Sequence, residues 1–176
     1  GWHLFPFRPP EARPGFGPND PACGMSVIRS PPEDAQLSDA EQRVAVVTGG
    51  GSGIGLGVAT ALAREGCRVV IAGRDVAKLE RAATEAAAAA GVGAGVAVLA
   101  CGCDVTDRDS VAHLVEWTVT QAGPPAIVVN SAGINVAKRV MAELAPADFD
   151  RMVAVNLTGL FNVFQAVLPG MRVRGD

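Results

Sequence analysis

Eight consecutive residues, Thr48-Gly49-Gly50-Gly51-Ser52-Gly53-Ile54-Gly55, carry the strongest chemical signal in the chain. Glycines strip the backbone of Cβ atoms, so an anion can approach main-chain N–H groups directly. Where a helix starts at such a bend, its unpaired N–H groups and its dipole add to the attraction. The chemistry this predicts is the seating of a pyrophosphate. The glycines at 49, 53 and 55 are spaced G-x-x-x-G-x-G, not G-x-G-x-x-G as in the common dinucleotide fingerprint. No Gly-Lys-Ser/Thr ending follows, which argues against a P-loop triphosphatase. The competing reading, a glycine-rich loop without function, stands unless a strand precedes the bend and a helix follows it.

The flanking residues supply that context. Val44-Ala45-Val46-Val47 is a continuous apolar run, the pattern of a strand buried on both faces. A helix is expected from about 53 to 65, with Gly66 placed to stop it. Residues 68–72 read as a second buried strand. Asp75 can cap a helix running through Lys78, Leu79 and the alanines 86–90. Residues 91–95 break it, and 96–100 form a third strand. A helix over about 107–121 ends at Gly123-Pro124-Pro125, a fourth strand covers 126–130, and a last helix runs from about 147 to 168. Strand alternates with helix four times. That rhythm predicts an α/β fold, a doubly wound parallel sheet with helices on both faces and right-handed crossovers.

Composition narrows the remaining classes. Residues 1–42 hold eight of the twelve prolines and three Arg against six acids, so they account for the whole net charge of −3. They read as a disordered tail without a signal peptide, followed by a domain over 43–176. The chain starts with Gly1, and Met25 is a candidate translation start. From Arg43 onward twelve basic residues meet twelve acidic ones, so no basic surface for nucleic acid is expected. No apolar run reaches the roughly 18–20 residues of a membrane span. Cys23, Cys67, Cys101 and Cys103 form no C-x-x-C pair and no zinc set. Reduced thiols in a core, with the cytoplasm as the expected compartment and an organelle left open, follow from that usage.

With the bend on its strand and helix, the sequence resembles the short-chain dehydrogenase/reductase family, whose cofactor motif is T-G-x-x-x-G-x-G. Asn130-Ser131-Ala132-Gly133 after the fourth strand is similar to the family's N-N-A-G, with Ser131 replacing the second Asn. Asp104-Val105 stands where a carboxylate meets the adenine, and Asn156 matches the family's catalytic-helix asparagine. The resemblance implies strand order 3-2-1-4 and a Rossmann-like domain. It implies that Gly49, Ser52, Gly53, Ile54 and Gly55 face the pyrophosphate, and that Asn130, Ala132 and Gly133 line the cofactor cleft. It also implies a small carbonyl or alcohol substrate and a homo-oligomeric full-length form. Each motif has a plainer reading. Asp104 could cap the next helix with Thr106 and Asp107. Residues 130–133 could be an ordinary turn. Asn156 falls on the apolar stripe Phe149, Val153, Leu160, Phe164 and could be a satisfied core amide.

Charge decides the expected cofactor. NAD-binding domains tend to place a carboxylate on the ribose 2′-hydroxyl about 20 residues past the glycines. Here Gly73 and Arg74 occupy that place. A guanidinium favours a 2′-phosphate, so NADP(H) is preferred and NAD(H) is the secondary option. The alternative for Arg74 is a solvated surface charge.

In this family a Ser and a Tyr-x-x-x-Lys carry the proton chemistry, the Lys lowering the phenol's pKa. The sequence contains no tyrosine, and its lysines are Lys78 and Lys138 alone. The expectation is therefore a truncated cofactor-binding half of an oxidoreductase, with Ile127-Val128-Val129 left on a sheet edge. The alternative is a non-catalytic nucleotide-binding or subunit-interaction module.

Overall fold

A computed structural model describes residues 43–91 and 98–175. The proline-rich segment 1–42 expected to be a tail lies outside the described residues. So do residues 92–97, which include most of the expected break after the second helix and the start of the third strand.

The apolar runs form strands β1 (Val44–Thr48), β2 (Arg68–Gly73), β3 (Val98–Gly102) and β4 (Pro125–Asn130). All pairings are parallel, in the order β3-β2-β1-β4. β1 lies between two neighbours and under helices on both faces, so all five of its residues are buried. Side chains alternate across the pleat, and this splits the core in two. Val44, Val46, Val70 and Ala72 face Val111 and Leu114 of helix α3 (Arg108–Gln121) and Val163 and Val167 of helix α5 (Gly159–Arg174). Ala45, Val47, Val69 and Ile71 face Ala59 and Ala63 of helix α1 (Gly53–Arg64) and Leu79, Ala82 and Ala83 of helix α2 (Val76–Ala90). Alanines dominate α1 and α2 at the contact, which lets these helices approach the sheet closely.

The strands end together at Thr48, Gly73, Gly102 and Asn130, and their backbone pairing runs on into the loops beyond. Gly49 N donates to Ala72 O (2.8 Å), Cys103 N to Gly73 O (2.8 Å) and Ser131 N to Thr48 O (3.2 Å). Three loops are thus fixed to one another at the carboxyl end of the sheet, where open α/β sheets bind ligands.

The last helical segment differs from expectation. It begins at Pro146 and continues to Arg174, with helix α4 (Pro146–Val153) joined to α5 by a five-residue π-helical turn, Ala154–Thr158. Pro169 does not end it, because Val167 and Met171 pack on the core and Arg174 Nη2 donates to Pro125 O. By length and composition this 29-residue run could also cross a membrane, where no such run was expected. In the structure its Gly159, Asn162, Val163 and Val167 are buried against the sheet and α3.

Candidate functional site

The carboxyl ends of the strands and the first turns of α1 and α2 enclose a cleft of about 460 Å³. One wall is the glycine bend. Gly49 has φ +68°, and a Cβ there would lie 2.6 Å from Ser131 O on the neighbouring loop. A Cβ on Gly55 would lie 2.4 Å from Gly49 O, so the first turn of α1 folds directly under the bend. The two glycines let three backbones meet where side chains would hold them apart. Ser52, the N-cap of α1, makes no side-chain cap bond. The first N–H groups of α1 keep their ordinary lack of intrahelical partners, and Ile54 at this turn is 82% exposed. That combination fits an anionic group.

The opposite wall comes from β2 and β3. Arg74 stands at the end of β2, and Asp75 caps α2 by accepting from Lys78 N at 2.9 Å. Asp104 Oδ1 accepts from Thr106 N (2.9 Å) and from Thr106 Oγ1 (2.8 Å). These bonds hold the Asp104 carboxyl below the usual carboxylate range; burial opposes them, and the positive charge of Arg74 assists. Helix α3 is capped by Asp107 instead, whose carboxylate accepts from Asp109 N. Asp104 therefore belongs to the cleft and not to a helix cap. Cys103, buried beside it, has its thiol pushed up to about 11, mainly by burial. The loop is locked from behind by Asn162, which donates to Val105 O (3.0 Å) and accepts from Arg108 Nε (3.3 Å).

The third side follows β4. Thr48 Oγ1 donates to Asn130 Oδ1 (2.8 Å) and accepts from Ala132 N (3.2 Å). Asn156 Oδ1 accepts from Ile134 N (2.8 Å), and its Nδ2 donates to Ile134 O (3.0 Å). This paired grip holds the end of the 131–134 loop on the π-helical turn. An α-helix keeps its carboxamides in register with its own turns; the extra residue of a π turn can re-aim Asn156 toward the loop.

Among the residues singled out from sequence, Gly49, Ser52, Ile54 and Arg74 line the cleft, as do Asp104, Val105, Ala132 and Gly133. Gly53, Gly55, Asn130 and Asn156 are not part of its lining. Gly53 and Gly55 shape the bend, and Asn130 acts through Thr48. Asn156 was expected on a buried stripe; it is exposed, as is Phe149 at 51%, while Val153, Leu160 and Phe164 of that stripe are half-buried. The sequence reading missed Lys78, whose Nζ donates to Ser52 Oγ at 2.9 Å, and Ser131, Ile134 and Val155 in the lining. A charge four residues past Arg74, on the first turn of a capped helix, was the available signal for Lys78.

Comparison with known proteins agrees with the fold. The family profile described as short chain dehydrogenase matches residues 43–176. The chain is 40% identical over 133 residues to the glycine betaine reductase ATRR of Emericella nidulans, covering 76% of this chain and 10% of that protein. A variant of actinorhodin polyketide ketoreductase solved with NADPH superposes with TM-score 0.69 and 38% identity, covering 76% of this chain and 50% of that one. The 3-ketoacyl-(acyl-carrier-protein) reductase of Brucella melitensis, complexed with NADH, gives TM-score 0.68 and 35% identity, with coverage of 77% and 52%. The chain spans between a tenth and about half of the length of the curated relatives it matches most strongly. Sheet order, glycine bend and family profile coincide over the same residues, and the chain belongs to the short-chain dehydrogenase family.

Proposed function

We propose that this chain forms the coenzyme-binding part of an NADP(H)-dependent oxidoreductase acting on a carbonyl or alcohol carbon. The single observation that carries the reading is the cleft walled by the Gly49–Gly55 bend on one side and by Arg74 and Asp104 on the other. Its residues fit the coenzyme chemically. The bare Gly49 and Gly55 let the bend close on Ser131 and on the first turn of α1, whose leading N–H groups lack intrahelical partners, and Arg74 stands at the end of β2 with no carboxylate paired to it among the described residues.

In this reading Gly49, Ser52, Gly53, Ile54 and Gly55 form the seat of the pyrophosphate. Arg74 binds the 2′-phosphate through its planar fork. Asp104 and Val105 contact the adenine, and Ala132 and Gly133 border the path toward the nicotinamide. Asn156 orders that path by clamping Ile134. The chemistry a bound nicotinamide coenzyme supplies is hydride transfer. The proton exchanged at the substrate oxygen needs an acid–base group, and no tyrosine is present among the 176 residues to provide the family's phenol. The second reading is a nucleotide-binding or subunit-interaction module without turnover.

Calorimetric titration of the full chain with NADPH and NADH tests the binding. NADPH is expected to bind more tightly; no binding of either coenzyme overturns the proposal. An NADPH-oxidation assay over a panel of carbonyl compounds then separates the two readings. Binding without turnover supports the module, and turnover supports the enzyme.

A further inference from the structure

Lys78 breaks a local rule that its neighbours obey. It sits in the first turn of α2, which contains no acidic residue. A cation there faces the positive end of the helix dipole, an unfavourable placement in isolation. No carboxylate among the described residues forms an ion pair with it, and the Asp75 carboxylate is turned to its backbone N–H. Its ammonium donates instead to Ser52 Oγ across the cleft. Ser52 is irregular in the same way, since an N-cap serine ordinarily turns its hydroxyl toward its own helix, and this one makes no such bond. Two departures from local preference meet at one hydrogen bond, which links the glycine bend to the side of the cleft that holds Arg74. Departures of this kind gather where a site demands them.

The anion that this arrangement suits can be identified by its position. The bend meets a pyrophosphate with backbone N–H groups and needs no lysine for that. Lys78 stands four residues beyond Arg74, on the β2 side of the cleft, where the Asp75 and Asp104 carboxylates are turned to the backbone N–H groups of Lys78 and Thr106 and Arg74 supplies a positive charge. A phosphate monoester carries about two negative charges at neutral pH and three acceptor oxygens, more than one guanidinium fork saturates.

We propose that Lys78 is a second cation for the adenosine 2′-phosphate, shared with Arg74, and that Ser52 aims its ammonium. The proposal rests on the NADP(H) reading above and adds a specificity-determining residue to it. Arg74 supplies planar, directional bonds, and Lys78 supplies a point charge on a flexible stem.

The test is calorimetric titration of the full chain and its variants with adenosine 2′,5′-bisphosphate and with 5′-AMP, which differ only in the 2′-phosphate. Lys78→Met keeps the aliphatic stem and removes the charge. It is expected to weaken bisphosphate binding about tenfold while AMP binding stays within about twofold. Lys78→Arg is expected to restore most of the loss, and unchanged AMP binding reports that the bend is intact. Equal losses for both ligands would assign Lys78 to the 5′-phosphate and overturn the proposal. No loss for either would reduce Lys78 to a structural latch and overturn it too. If the unmodified chain binds neither ligand, the NADP(H) reading fails along with this one. If the unmodified chain and Lys78→Met prefer the bisphosphate equally, only the role of Lys78 falls.

Discussion

Arg74 stands where a carboxylate would select a free ribose hydroxyl, and its charge is felt by Asp104 on the same wall of the cleft. Arg74→Ala is expected to weaken NADPH binding about tenfold and leave NADH nearly unchanged, as the loss of charge-assisted bonds to one phosphate would do. Equal titration curves for the variant and the unmodified chain with NADPH would contradict this. Cys103 gives a second prediction at the same scale. Its thiol titrates ordinarily at 9.0, and in the fold burial pushes it up to about 11. The fold therefore favours the neutral thiol. The stability this confers is complete below pH 9.0 and is lost as the pH rises toward 11, because the unfolded chain releases the proton first. Cys67 and Cys101 are raised by burial as well and act in the same direction. Cys103→Ser removes one titrating group while keeping a donor for Ser110 O, which the thiol reaches at 3.8 Å. Urea midpoints measured at neutral pH and near pH 10 should converge in this variant relative to the unmodified chain.

At the scale of elements, the junction of bend and helix is the most sensitive point. A methyl group on Gly55 would press on Gly49 O at 2.4 Å, and both partners are backbone, so neither can rotate away. Gly55→Ala is expected to cost about 1–3 kcal/mol in urea unfolding and to abolish measurable NADPH binding by displacing the N–H groups of α1. A variant that binds NADPH normally would show that the close approach is not needed. The same elements show what a sequence can disclose. The strands were legible because β1 and β2 are buried on both faces and read as unbroken apolar runs, and the bend because its glycines lie between a strand and a helix. Asp75 was legible as a cap because its role is local. Asn156 was found by its place in a motif, but not its surroundings. Its exposure depends on which face of the long helix meets the sheet, and its partner Ile134 lies 22 residues away. Lys78 and Ser52 are 26 residues apart, and their contact depends on how α1 and α2 lie on the sheet. The π-helical turn at Ala154–Thr158 leaves no trace in residue periodicity, since it inserts one residue into a pattern too short to register it.

At the largest scale, β4 forms an edge of the described sheet that charge does not guard. Among the described strands β4 pairs on one side only, with β1. Its sequence, Pro-Ala-Ile-Val-Val-Asn, holds no charged residue. Proline stands only at its first position, so it does not interrupt the open row of N–H and C=O groups. Natural edges are usually protected by lysines, bulges or interior prolines, and the one register shift in β4 falls at its start, beside Val44. Long-range repulsion offers little help, because the twelve basic and twelve acidic residues beyond 42 cancel. The long helix adds exposed apolar side chains in Leu157 at 63% and Phe161 at 51%. The 176-residue chain is therefore expected to self-associate at micromolar concentration. Sedimentation velocity should show a mean mass that rises with concentration and changes little with added salt, since no charge attraction drives the contact. Leu157→Lys and Phe161→Lys should leave the association in place if β4 carries it, and abolish it if the helix does. A concentration-independent monomer that unfolds sharply and reversibly would mean that the β4 edge is protected by something other than charge, proline or a bulge.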